Sequence, residues 1–279
     1  VTAPAAAGET TGNKIDILVL AGSRAANDPV AAAAGVAYKC LAPVAGRTML
    51  LRVVDALLAW PGTGRIGLVL DDPSTIDSLD ELAPLIAAGR LVTIPARATP
   101  AESVRAAASE YLSPPLLITT GDHPLLKPEW LTRVVAEAEQ GNYDVAAALA
   151  RETTIRSRFP ESRRTYLKFS DGPASGCNLF VVRTERGLEA IAFWRRVEQE
   201  RKKPWRMARK VGLGLLFRYL LGRLSSGAAM AYLSARLELR AGLVFLDDAE
   251  AAVDVDKPDD LALVERIIAA RDLARAGVA

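Results

Sequence analysis

IDILVLAG, residues 15–22, is a short, largely apolar, β-branched run that ends on two small residues. Such a run is a buried parallel strand feeding a loop, because both faces of a parallel sheet are covered. Outward from it, apolar runs at 66–70, 91–95, 115–120 and 143–149 alternate with helical periodicity at 49–59, 78–88, 101–111 and 128–139. Strands alternating with helices of about 10 to 15 residues predict βαβ units with right-handed crossovers. The expectation is a doubly wound α/β fold with a mostly parallel, Rossmann-like sheet. After residue 150 the pattern changes. Residues 151–168 read as basic and irregular, 178–183 and 243–247 as strands, 187–237 as mainly helical and 258–275 as a closing helix. One domain over 15–279 is expected, with extra sheet edge and a C-terminal helical insertion at about 187–237. The Ala/Thr/Gly-rich residues 1–14 read as a disordered leader.

Composition narrows the function classes. The 279 residues are 50% hydrophobic and 24% charged, with 35 Lys plus Arg against 33 Asp plus Glu. A net charge of +2 argues against a general nucleic-acid binder. Two cysteines, Cys40 and Cys177, and a single His exclude a disulfide scaffold and a His-rich metal site. Reduced thiols and the lack of an export signal point to the cytoplasm. The longest charge-free stretch of the last third, 224–235, falls short of the roughly 20 apolar residues a bilayer needs.

Three stretches could carry chemistry. The loop after the first strand is where open α/β sheets bind ligands. Its Gly22 permits close backbone approach to phosphate oxygens, and Arg24 and Lys39 add cations suited to charge that develops in phosphoryl transfer. The alternative is an ordinary Ala-rich loop with two solvated cations. In TTGDHPLL, residues 119–126, Asp122 follows an apolar strand in a turn closed by Pro124, a place for a carboxylate ligand to Mg²⁺. The alternative is a turn acid that caps backbone N–H groups, with His123 as a turn residue rather than a base. In AAVDVDKPDDL, residues 251–261, Asp254 and Asp256 share one face of an extended segment. Asp256 is the choice of second metal ligand, with Asp254 close behind, while Asp259 and Asp260 follow Pro258 as helix-capping acids. The two cysteines read as small buried apolar residues.

Together these stretches resemble the MobA-like NTP transferase family, nucleotidyltransferases of GT-A-type fold. The opening signature is matched by Leu20-Ala21-Gly22, Arg24, Lys39, Leu41, Gly46, Met49 and Leu50, with Ser23 where the family carries a second glycine. Gly121-Asp122-His123-Pro124 matches a mid-chain GDxP, and 254–260 match a late (D/N)xDxPxD. Pro100 to Val104 resembles a helix start whose Ser103 contacts nucleobase or ribose, and Gly176-Cys177-Asn178 resembles an acceptor-binding turn. The resemblance implies nucleotide binding by Leu20, Ala21, Gly22, Ser23, Ser103 and Gly121, and acceptor binding by Gly176 and Asn178. It implies catalysis by Lys39, Arg24 and Asp122, with Mg²⁺ on Asp122 and Asp256. The expected reaction moves an NMP from an NTP to a phosphorylated small molecule or lipid headgroup and releases pyrophosphate, as a cytidylyl- or guanylyltransferase would. The competing readings are a glycosyltransferase of the same fold and a degenerate nucleotide-binding module.

The insertion stands apart in charge. Residues 201–237 hold nine basic residues and no acid, so the rest of the chain is net negative. Lys202, Lys203, Arg206, Arg209 and Lys210 would share one helical face and Trp205, Val211, Leu215 and Tyr219 the other. A basic amphipathic helix predicts peripheral contact with an anionic membrane through 201–223, at the inner face of the membrane. A solvated rim on a docked helix, or a homodimer contact, is the alternative.

Overall fold

The computed structural model describes residues 14–22, 28–161, 164–200 and 213–277. Residues 1–13 of the expected 1–14 leader, Ser23 and Arg24, and the segment 201–212 with Trp205 and its flanking cations lie outside the described residues. The decisive run forms β1 (Ile15–Leu20), with Ile17, Leu18 and Val19 wholly buried. Around it are β4 (Thr63–Leu70), β5 (Leu91–Pro95), β6 (Leu116–Thr120), β7 (Val145–Arg151), β8 (Ala174–Val182) and β9 (Ala241–Leu246). They make one seven-stranded sheet in the order β5-β4-β1-β6-β8-β7-β9, and β8 is antiparallel to both neighbours. The expected α/β architecture is therefore what forms.

The helices cover both faces. On one side α2 (Met49–Ala59), α5 (Pro128–Gln140) and α10 (Pro258–Ala276) pack Leu57, Val134 and Ile267 into a core with Ile17 and Leu117. On the other, α4 (Pro100–Glu110), α7 (Glu185–Glu200) and α9 (Ser226–Leu237) pack Val104, Ala190 and Leu237 against Leu18 and Ile118. Local signals set the ends. Thr48 and Thr99 accept from the N–H groups of Leu51 and Glu102 at the starts of α2 and α4. The hairpin of β2 (Pro43–Val44) and β3 (Arg47–Thr48) turns through Ala45 and Gly46, at φ 46° and 76°, a left-handed pair that glycine favours.

Three expectations change. Residues 78–88 are not one helix but a 3₁₀ turn, Asp80–Leu82, and a short α3 (Ala83–Ala87). Pro84 lacks an N–H and fits only a first turn, and Gly89 at φ 64° ends the segment. The stretch 151–168 contains α6 (Glu152–Arg158), held by the buried Ile155 alone, which leaves no periodicity to read. Most consequential, the strand after residue 170 does not extend an edge. It inserts between β6 and β7, because the β6–α5–β7 crossover skips one strand position and the chain returns to fill it.

Candidate active site

The chain runs from β1 outward to β4 and β5, then crosses back through α4 to β6 on the other side of β1. The carboxyl ends of β1 and β6 therefore flank the point where strand order reverses, the crevice in which open α/β sheets bind ligands. A cavity of about 680 Å³ opens there. Its floor is continuous backbone: Ala21 N–H donates to Val69 O at 3.0 Å and Gly121 N–H to Leu20 O at 2.9 Å.

Gly121 lets three segments converge. A Cβ at this position would stand 2.9 Å from Ala21 Cβ and 3.4 Å from Cys40 Cβ. With only hydrogen there, the 3₁₀ turn Lys39–Leu41, reached through α1 (Pro29–Ala34), closes against the end of β6. Lys39 Nζ then donates to Asp122 Oδ2 at 2.6 Å and to Asp256 Oδ1 at 3.1 Å. Val255 N–H donates to Asp122 O at 3.0 Å, which pins the late segment to the middle one. Burial alone would lower the Lys39 pKa, but the two carboxylates outweigh it and hold it above the ordinary value. Lys39 is thus a fixed cation.

A second knot lies beside the first. Asp254 accepts from Arg164 Nη2 at 2.6 Å on one oxygen and from Asn178 Nδ2 at 2.8 Å on the other. Burial opposes its charge, yet Arg164 and Asn178 keep its pKa below the usual carboxylate value. Asn178 reaches inward from a bulged stretch of β8 because its backbone is left-handed, at φ 50°, a conformation that asparagine tolerates. Beneath both knots His123 is buried and stacks on Trp130, with ring centroids 5.7 Å apart. Burial drives its pKa down to about 4, so the imidazole is uncharged at neutral pH, and it does not line the cavity.

Of the expected residues, Leu20, Ala21, Gly22, Lys39, Ser103, Gly121, Asp122, Asn178 and Asp256 all line this cavity, and so does Asp254. Gly22 is close-packed, since a Cβ would stand 3.2 Å from Asp71 Oδ1. Ser103 is buried and uses its hydroxyl to accept from Arg97 N–H and donate to Thr99 O, so it shapes the loop at 97–99 that forms one wall. Gly176 is exposed on β8 opposite Leu149 and does not line the cavity. Asp254 and Asp256 are not on a strand, as expected, but on an irregular segment between a 3₁₀ turn, Ala249–Ala252, and α10. Asp260 does cap, accepting from the N–H groups of Asp256 and Lys257. Cys40 and Cys177 are free, buried thiols whose pKa values burial pushes up to about 12.

Arg164 was not legible beforehand, being one cation in a basic, irregular run. Asp71, at the end of β4 in the cavity wall, could have been found from its place after an apolar strand.

Asp122 and Asp256 are the donors available to a hard cation. Asp122 Oδ1 is buried with no hydrogen-bond partner among the described residues, and both carboxylates already converge on one ammonium. No group of three His, Cys, Asp or Glu suited to a metal occurs among the described residues. Two carboxylates, one with a buried oxygen left unpartnered, fit an ion such as Mg²⁺, which takes one or two carboxylates and fills its shell with water and substrate phosphates.

A hypothetical transferase structure from Thermus thermophilus is 30% identical, covers 89% of this chain and 99% of its own, and superposes with a TM-score of 0.72. A CMP:2-keto-3-deoxy-manno-octonic acid synthetase solved with CTP is 12% identical, with a TM-score of 0.54 over 93% of this chain and 100% of its own. A 4-diphosphocytidyl-2C-methyl-D-erythritol synthase from Anaerococcus prevotii is 11% identical, with a TM-score of 0.54 over 92% and 96%. At such identities these last two share the fold. No curated protein matches the sequence. The model of the MobA-like NTP transferase domain matches residues 17–204, about two thirds of the chain and both strands that floor the cavity. The chain belongs to the MobA-like NTP transferase family.

Proposed function

We propose that the chain is a Mg²⁺-dependent nucleotidyltransferase that moves an NMP from an NTP to a phosphorylated acceptor and releases pyrophosphate. The observation that carries this reading is the convergence of Lys39, Asp122 and Asp256 at the strand reversal, from three separate stretches of sequence. An acceptor oxygen attacks the α-phosphorus, the bond to the bridging oxygen breaks, and pyrophosphate leaves. Lys39 meets the charge that grows on the phosphoryl oxygens, and such fixed charges are worth most in a partly dry site. Asp122 and Asp256 would hold Mg²⁺, which supplies charge neutralisation at the phosphates when bound. The close-packed backbone at Ala21 and Gly22 admits the nucleotide, and Asn178 borders the acceptor side. No protein nucleophile is needed, because phosphoryl transfer asks mainly for positioning and electrostatics. The test is pyrophosphate release with CTP, GTP, ATP and UTP against a panel of phosphorylated small molecules, with and without Mg²⁺. Release with one NTP that depends on the acceptor supports the reading. Turnover of a nucleotide-sugar without pyrophosphate would replace it with glycosyl transfer, which has no need of Lys39.

A further inference from the structure

The helix α8 (Leu213–Leu220) is the one place among the described residues where large apolar side chains stand exposed in a cluster. Phe217 is 63% exposed, Leu220 71% and Leu221 51%, at the i, i+3, i+4 spacing that places them on one helix face. Exposed large apolar side chains clustered on one face are the kind of surface that marks an interaction site. The helix and the segment that follows it are tied to the body. Tyr219 Oη accepts from Lys168 N–H at 3.3 Å, Ser170 N–H donates to Leu224 O at 2.9 Å, and Ser226 donates to Asp171 through both N–H and hydroxyl. These bonds fall on residues 168–171, four to seven positions after Arg164, which meets Asp254 in the cavity wall. The apolar face is thus displayed by a braced element joined to the candidate site.

Charge identifies the occupant. Arg218 and Arg223 are exposed beside the apolar residues, and residues 201–237 carry nine cations without an acid. A second copy of the same surface would bring like charges together, and an apolar protein groove would leave the cations unanswered. An anionic lipid surface answers both: the apolar side chains enter the acyl boundary while arginines reach back to headgroup phosphates. We propose that α8, with the exposed Arg218 and Arg223, docks this enzyme on an anionic lipid surface. The assignment rests on the nucleotidyltransfer reading only in taking the neighbouring cavity as the acceptor's site, so that a lipid-borne phosphate is presented where it is used.

The experiment is co-sedimentation of the full chain with phosphatidylcholine vesicles, with and without phosphatidylglycerol. The expected result is at least about tenfold tighter binding to the anionic vesicles, since each cation near the surface adds to the attraction. That gain should collapse between about 0.1 M and about 1 M salt, where the Debye length falls from about 10 Å to about 3 Å. Phe217→Ser with Leu220→Ser, and separately Arg218→Glu with Arg223→Glu, should each weaken it about tenfold; all four residues are exposed, so the fold survives. Equal binding to both vesicle types, or to neither, overturns the proposal. So does a dimer in sedimentation velocity that the Phe217→Ser, Leu220→Ser variant turns into monomer, or single-stranded RNA that displaces the chain from vesicles. Pyrophosphate release with a soluble acceptor, read on the same samples, reports nucleotidyltransfer separately. Its failure with vesicle binding intact would sink the function and leave the docking face standing.

Discussion

The wall of the cavity built by residues 20–122 and the wall built by residues 164–256 are made by different means. In the first, Ala21 and Gly121 are held by strand-end backbone bonds, and side chains such as Lys39 and Asp122 project beside that frame. In the second, Asp254 is held by two side chains, Arg164 and Asn178, which come from a segment before β8 and from within it. Backbone placement survives the loss of a side chain; placement by two side chains alone does not. The first wall should therefore answer mutation in catalysis, and the Arg164–Asp254 pair of the second in stability.

The largest expected effect tests the second wall. Arg164→Ala leaves the partly buried carboxylate of Asp254 without its cation, and stripping a charged group of its hydrogen-bond partner costs about 3 kcal/mol. Urea unfolding should show the loss, and Asp254→Ala in the same background should recover part of it. An unchanged midpoint for Arg164→Ala would erase the distinction between the walls. On the first wall, Asp122→Asn should lower kcat about a hundredfold, or about 2.7 kcal/mol, with the unfolding midpoint nearly kept. More than about a tenth of the activity remaining would remove Asp122 from the chemistry. Lys39→Ala is expected to lower kcat about thirtyfold, or about 2 kcal/mol, and to change the KM for NTP less, because its charge is most needed in the transition state. A pure KM effect would make Lys39 a docking residue.

The smallest effect is a pH dependence. Glu250 lies beside the second wall and is bound by Arg271 and by Lys127, the latter at 2.9 Å. Burial would raise its pKa, but those two cations hold it below the ordinary 4.5. Below that value the unfolded chain takes up the proton first, so the contribution is complete above about 4.5 and fades as pH falls through the lower folded pKa. Glu250→Gln should make the acid limb of the stability curve shallower. A limb of unchanged slope would show that the cluster adds nothing there.

The first wall was legible in sequence because its signals are local. IDILVL followed by Ala-Gly reads as a strand end from eight residues, and an acid two residues past the apolar run 115–120 reads as a strand-end carboxylate. The second was legible in its two aspartates and, through the family resemblance alone, in Asn178. Nothing near Arg164 distinguishes it from its basic neighbours, and its partner is 90 residues away. The bulge that turns Asn178 toward Asp254 depends on pairing with β7, which no reading of 174–182 alone supplies.

By itself, then, the amino-acid sequence determined the alternation of parallel strands and helices, the ends of β1 and β6, and the residue types offered there, because hydrophobic periodicity and turn chemistry act over a few residues. Only the tertiary structure decided that β8 enters the sheet between β6 and β7. It alone decided that Lys39 bridges Asp122 and Asp256 across 83 and 217 positions, and that Asp254 belongs to Arg164 and Asn178. Those outcomes depend on strand order and on the close approach that Gly121 permits. They are relations between distant segments, and the free energy of an ion pair exists only once packing has brought its two ends together.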